Sequence, residues 1–290
     1  MIVDKQKFRY TAVIDFVEIS FSTKVASNAF SIQRNIGVNY VRPLNKSAGA
    51  AATEFTATVH DVMHWSELES VCDRLKSSYE LLTDPKITCI EVSFDAFSNG
   101  ASYEEMIEHV ANYYWMLANP VSLNRRFTRG TKGTTQGLSR RAYMLNRLSQ
   151  GGTVYIGDHR YDPEGMRIYY KQTDKKSLLP LDKHRSRIEI TLRGNGCPFD
   201  NFEDAKHYDF AKLSNYFKFR MPKDGMSALQ VVIADATPLL GEKKERKRKG
   251  RGKYMYSSLT NADVELNAIV YEQLRNLTKR LNSSRVKKIR

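Results

Sequence analysis

The sequence predicts an α+β fold: an antiparallel-rich central sheet with helices on one face, followed by a C-terminal helical region. Two observations carry this. Strand-like alternation and helical periodicity follow one another in the order strand, strand, helix, strand, helix, and three strand-like runs then come in quick succession with only polar loops between them. Such an order leaves one sheet face covered by helices and the opposite face open to a ligand.

Tyr10 to Ser22 (YTAVIDFVEISFS) is the first strand, β-rich and bounded by a polar stretch. Glu54 to His60 (EFTATVH) alternates and is the second. Ser66 to Leu82 sets Leu68, Val71, Cys72, Leu75 and Tyr79 at helical spacing, with Ser66 as N-cap and Glu69 completing a capping box. Ile87 to Phe97 (ITCIEVSFDAF) is a third strand. Ser102 to Leu117 is a helix capped by Ser102, with Glu105 three residues on, and Asn119-Pro120 stops it. Residues 121–152 are a Gly, Thr, Arg and Ser-rich connection enclosing a short amphipathic helix from about Ser139 to Leu148. The meander follows at Thr153 to Ile156, Met166 to Lys171 and Arg187 to Leu192. Asn201 to Phe219 is mixed and helical, and Leu229 to Ala234 (LQVVIA) suits a strand or a helix. Residues 242–253 (EKKERKRKGRGK) are too dense in like charge to pack and make a linker. Ala262 to Leu281 is a final helix, with Val264, Ile269, Leu274, Leu277 and Leu281 at helical spacing. The expected organisation is one domain over 1–240, a basic linker over 241–255 and a C-terminal helix over 256–290.

The 290 residues carry 46 Lys and Arg against 32 Asp and Glu, a formal net charge of +14, so the natural partner is a polyanion. Nucleic acid comes first and an anionic membrane surface second. No run approaches the roughly 18 apolar residues of a membrane span, and the opening MIVDKQKFRYTAV lacks a signal-peptide core, so a soluble, cytoplasmic protein without a membrane partner is expected. Cys72, Cys89 and Cys197 are odd in number, widely spaced and without a CxxC pair, which argues for reduced thiols rather than a disulfide framework or structural zinc.

Alternation in MRIYYK points Met166, Ile168 and Tyr170 inward and leaves Arg167, Tyr169 and Lys171 on the polar face. SRIEITLR adds Arg187, Glu189, Thr191 and Arg193, and ITCIEVSFDAF adds Glu91, Ser93 and Asp95. Glu91 and Asp95 are i, i+4 along one strand, about 13 Å apart, so they cannot chelate one ion together; each can share a site with a neighbouring strand about 4.8 Å away, such as that of Glu189. A phenol is a weak nucleophile at its free pKa near 10 and needs adjacent positive charge or a metal-polarised phosphate. Arg167 and Lys171 flank Tyr169 and meet the first need; a divalent ion on the carboxylates meets the second. The segment Arg125 to Gly137 (RRFTRGTKGTTQG) lacks the GK[ST] ending of a nucleotide cradle and reads as a DNA-contact loop, with Arg125, Arg126, Arg129 and Lys132 as phosphate contacts. His60, His64 and His159 form no His-hydrophobe-His pair.

The stretch TVYIGDHRYDPEGMRIYYK, followed by SRIEITLRG, resembles the replication initiation factors of rolling-circle plasmids, integrative elements and filamentous phages. In that family a "YIGsR" strand precedes an "RIYxK" strand bearing the nicking tyrosine, and an "RxE" strand follows. YTAVIDFVEISFS looks like the family's opening "IDxxxfT" strand and CIEVSFDAF like its "RxDxaxDD" strand, though Cys89, Glu91 and Ala96 depart from that last pattern. The resemblance covers about residues 10–195. It implies a Rep-type single-strand endonuclease fold, with Tyr169 as nucleophile, Arg167 and Lys171 beside it, Glu91, Asp95 and Glu189 near a Mg²⁺ or Mn²⁺ ion, and Arg187 and Arg193 on nucleic acid. The implied function is initiation of phage or plasmid replication by nicking one origin strand through tyrosine transesterification, with DNA, single-stranded at the nick, and a host helicase as partners. The alternatives are a nonenzymatic single-stranded DNA or origin-binding protein using the same basic, aromatic face, and a structural RNA-binding protein.

Overall fold

The computed structural model describes residues 4–45, 51–117, 126–129, 135–136, 141–157, 160–174, 176–225 and 260–283, with the backbone alone at 126–129, 135–136 and 141–143. The sheet strands are β1 (Phe8–Asn28), β2 (Tyr40–Pro43), β3 (Ala51–His60), β4 (Lys86–Ser98), β5 (Arg126–Arg129), β6 (Thr135–Gln136), β7 (Thr153–Ile156), β8 (Glu164–Lys171) and β11 (Arg185–Arg193). They make one nine-stranded sheet in the order β2-β3-β1-β4-β11-β8-β7-β5-β6. Antiparallel registers join β1 to β3, β2 to β3, β5 to β6 and β7, and β7 to β8. Between β8 and β11 the chain makes a small hairpin of β9 (Thr173–Asp174) and β10 (Ser177–Leu178). The helices are α1 (Ala29–Ile36), α2 (Trp65–Ser78), α3 (Tyr103–Trp115), α4 (Arg141–Ser149), α5 (Phe202–His207) and α6 (Val264–Leu281), and β12 (Arg220–Pro222) pairs with β13 (Thr260–Ala262). This is the α+β, antiparallel-rich architecture expected. No described helix is long and apolar enough to cross a membrane.

The chain forms two compact units, one drawn from residues 1–12, 93–190 and 211–274, the other from 13–92, 191–210 and 275–290. In the first, α3 begins with the capping box read from the sequence: the Glu105 amide donates to Ser102 Oγ at 3.2 Å and the Ser102 amide to Glu105 Oε2 at 2.8 Å. Its inner face packs against the sheet, with Tyr113 tilted on Phe94 and Tyr103 edge-on to Tyr170. Phe94 and Tyr170 alternate with Asp95 and Tyr169, so the helix covers the apolar face and leaves the charged residues on the other. His109 of α3 is buried, with Nε2 3.1 Å from the Tyr10 hydroxyl; burial, helped by the Lys5 charge, lowers its pKa to about 3.

The second unit is held by the apolar side of β1 (Val17, Ile19, Phe21), Phe55 and Ala57 of β3, and the helices α1 and α2. Helix α2 starts at Trp65, not after Ser66, and its N-cap His64 makes no side-chain capping bond. Trp65 decides this: its ring is buried between Phe199 (6.2 Å, edge-on) and Phe210 (6.1 Å), and burying a large side chain is worth roughly 1.5–3 kcal/mol, more than a cap. The end also differs, because after Ser78 the chain turns extended and the Leu82 amide donates to the Ser22 carbonyl. Helix α1 and strand β2 were not expected. Yet α1 carries short-range signals, an Asn28 N-cap, Gly37 with positive φ at its C-terminus, and Ile32 and Ile36 buried one turn apart. Leu229 to Ala234 and the basic linker 241–255 lie outside the described residues.

Two measurements test this packing. At Gly152 an added Cβ would lie 2.5 Å from the Arg147 carbonyl oxygen, a backbone atom that cannot swing away, so Gly152→Ala should cost about 1–3 kcal/mol in urea unfolding. His109 is neutral when folded and takes a proton more readily when unfolded. Stability is therefore complete above the unfolded value of 6.5 and should fall as the pH drops from 6.5 to about 3, by up to about 1.4 kcal/mol per unit, with a flatter dependence in His109→Phe.

Candidate active site

Neighbouring strands bring the polar residues of β4, β8 and β11 together. Thr191 Oγ1 donates to Glu91 Oε2 at 2.5 Å, and Arg187 grips Asp95 with Nε on Oδ1 at 2.6 Å and Nη2 on Oδ2 at 2.7 Å. Moving from Glu91 to Asp95 on β4 thus moves from Thr191 to Arg187 on β11, the opposed directions of an antiparallel pair. Arg185 Nε adds an ion pair to Asp95 Oδ2 at 3.2 Å. Thr191 brings a hydroxyl but no charge to Glu91, and the acid of β11 is Glu189, two residues along.

Glu189 joins the clusters. The Tyr169 hydroxyl donates to its Oε1 at 2.6 Å, Arg187 Nη1 donates to the same oxygen at 3.2 Å, and Arg167 Nη2 lies 2.6 Å from Oε2. Tyr169 and Arg167 are half-buried, whereas Glu189 has no exposure. The adjacent Tyr170 faces the other way: its hydroxyl meets His184 Nδ1 at 3.3 Å, His184 Nε2 is 2.9 Å from the Leu179 carbonyl, and burial pushes the Tyr170 pKa up to about 12. The pleat of β8 therefore separates a phenol bonded to a carboxylate from a phenol fixed in the core.

Carboxylate oxygens of Asp15, Glu91 and Glu189 all lie within 4.8 Å of one another. An all-oxygen set of three carboxylates suits a hard divalent cation such as Mg²⁺ or Mn²⁺ rather than zinc or copper. The donor chemistry fits the ion expected. Asp15 enters from β1 where the burial alternation changes phase: Ala12 and Ile14 are buried, then Val17, Ile19 and Phe21, leaving Asp15 and Phe16 both half-buried. Asp15 was not among the expected site residues, although it stands at the acidic position of the "IDxxxfT" strand that YTAVIDFVEISFS resembles. Asp95, expected near the metal, is instead held by Arg187 and Arg185.

The other expected residues are placed as follows. Lys171 Nζ is 3.5 Å from Asp174 Oδ1 in the hairpin, and Arg193 Nη1 donates to Glu18 Oε2 at 2.6 Å. Arg187, expected on nucleic acid, is 1% exposed and spends its guanidinium on Asp95 and Glu189, because a buried cation needs carboxylate partners more than the sheet needs an external contact. The charged face is likewise not open at its centre: Glu91, Ser93, Asp95, Arg187, Glu189 and Thr191 are all at most 1% exposed, while Asp15, Arg167 and Tyr169 around them are half-buried. Arg126 and Arg129 lie on β5 with side chains outside the described residues, and Arg125, Lys132 and His159 lie outside them altogether. His60 is exposed, edge-on to Phe16, and His64 meets the Arg280 carbonyl. Cys72 and Cys89 are buried thiols, Cys197 is half-buried, and all three are free.

No protein-family model matches the chain, and no curated protein matches it. Among solved structures, the chain is similar to the rolling circle replication initiator protein from Geobacillus stearothermophilus, at 13% identity over 91% of this chain and 97% of that one, with a TM-score of 0.39. A likeness of that size transfers no function, and the chemistry rests on the residues of the site.

Proposed function

We propose that this protein initiates replication by nicking one strand of an origin through Tyr169. The observation that carries the reading is the 2.6 Å bond from the Tyr169 hydroxyl to Glu189, a carboxylate that also belongs to the group with Asp15 and Glu91. A nucleophile in hydrogen-bond reach of a base, with the base itself held by a third group, is the arrangement covalent catalysis requires. The net charge of +14 and the RIYYK and RIE strand motifs agree with a DNA substrate.

In the proposed reaction the Tyr169 phenol passes its proton to Glu189 and its oxygen attacks the scissile phosphorus. The new bond is tyrosine O–P; the bond that breaks is P–O3′, whose oxygen takes a proton from water and leaves as a 3′ hydroxyl, and the hydroxide so formed takes back the proton from Glu189. Arg167, with a quarter of its side chain exposed and its guanidinium 6.0 Å from the Tyr169 ring, would supply positive charge to a phosphate oxygen. Asp15, Glu91 and Glu189 would hold a divalent cation, which supplies positive charge to the phosphate when bound. The 5′ end stays on the protein while the 3′ hydroxyl primes synthesis, and a separate helicase is the partner that unwinding calls for.

Incubation with Mg²⁺ or Mn²⁺ and labelled single-stranded origin DNA should give a protein–DNA adduct on a denaturing gel, and Tyr169→Phe should lower it by more than about 1,000-fold. Salt-sensitive binding with no adduct would identify the nonenzymatic alternative. Titration of Mn²⁺ into the free protein should show one site, weakened at least about tenfold by Glu91→Gln or Asp15→Asn, and chelation with EDTA should stop adduct formation. Unchanged Mn²⁺ affinity in both variants would move the ion elsewhere.

A further inference from the structure

We infer that Asp95 and Arg187 are a positioning pair that aims Glu189 at Tyr169, an inference that rests on the nicking reading above. Asp95 touches neither Glu189 nor Tyr169, and Arg187 meets the base alone, at Glu189 Oε1; their part is to set where that oxygen stands.

A guanidinium is a rigid plane whose donors leave in fixed directions, so fixing one edge fixes the other. Asp95 takes one edge, with Nε at 2.6 Å and Nη2 at 2.7 Å, and this leaves Nη1 directed at Glu189 Oε1 at 3.2 Å. That oxygen is the one to which the Tyr169 hydroxyl donates. The chain of contacts thus runs Asp95, Arg187, Glu189, Tyr169 across three strands, and the first three side chains are between 0 and 2% exposed. Water cannot substitute for a missing member. Burial also explains why the pair is ionic: Arg187 needs Asp95 to be buried at all, and a buried pair of this kind adds little net stability over an apolar one. Its presence beside a candidate nucleophile therefore has a better account in orientation than in stability. Asp95 and Glu91, four residues apart on one strand, then serve two different ends, orientation of the base and the carboxylate group with Asp15.

Arg187→Lys and Asp95→Asn test this from the two ends of the pair. A lysine keeps the charge, and so is the safer variant to fold, but its donors fan from one rotatable nitrogen, so binding Asp95 no longer fixes the direction of a donor to Glu189. Asp95→Asn instead leaves Arg187 less neutralised and increases the positive field at Glu189. Single-turnover adduct formation at saturating DNA should fall about 100-fold in either variant, with DNA affinity within about twofold of wild type. The rate constant should fall while the fraction of protein that finally forms adduct stays as in wild type, a split that simple loss of folded protein would not produce. A wild-type rate constant in whichever variant folds, or a loss confined to the final fraction of adduct or to DNA affinity, overturns the positioning role. A wild-type protein that forms no tyrosine-linked adduct overturns the nicking reading instead, so the two failures are distinct.

Discussion

A carboxylate with no exposure to water has to be compensated by what surrounds it, and Glu189 is such a group at the middle of the sheet. An ionised side chain there would be prohibitive alone. Arg187 and Arg167 bring the charge it needs, Tyr169 brings a hydroxyl, and each of these requires something in turn: Arg187 takes Asp95, and Asp95 takes Arg185 as well. Much of the polar face of β4, β8 and β11 follows from that one requirement. The network is a closed circuit of charges rather than a set of surface residues, which is why a face that reads as open in the sequence is shut at its centre.

The opposite face answers to a different constraint. Phe94, Ile168 and Tyr170 alternate with the charged residues and are covered by α3 and its neighbours, so each central strand is apolar toward the helices and ionic on the other side. Tyr170 shows how strictly the two are kept apart: its hydroxyl is satisfied by His184, which is held in turn by the Leu179 carbonyl. Two tyrosines one residue apart have entirely different surroundings because the pleat leaves them no choice.

Features with a local cause were legible in the sequence. The strand alternation of β4, β7, β8 and β11, the Ser102 capping box and the division of Tyr169 from Tyr170 all depend on residues within a turn or a pleat of one another. What was not legible depends on distant partners. The start of α2 is set by Phe199 and Phe210 rather than by Ser66, and helix α1 is only eight residues long, too short for periodicity to stand out. Asp15 escaped, although the opening strand motif carries an acid at that place, because its partners Glu91 and Glu189 lie on strands distant in sequence. Arg187 looked like a phosphate contact because composition reports its charge and not the two carboxylates that use it.

The place of β8 in the sheet has a mechanical consequence. It lies between β11 and β7, hydrogen-bonded along both edges, with Tyr170 anchored under α3 on the next residue. A DNA end joined to Tyr169 would pull on an interior strand, and to yield the strand would have to break its bonds on both sides at once while drawing an aromatic ring from the core. A tether of that kind resists load far better than one on an edge strand or a loop, and it suits a protein that must hold one end of a strand while the other end is drawn away by synthesis.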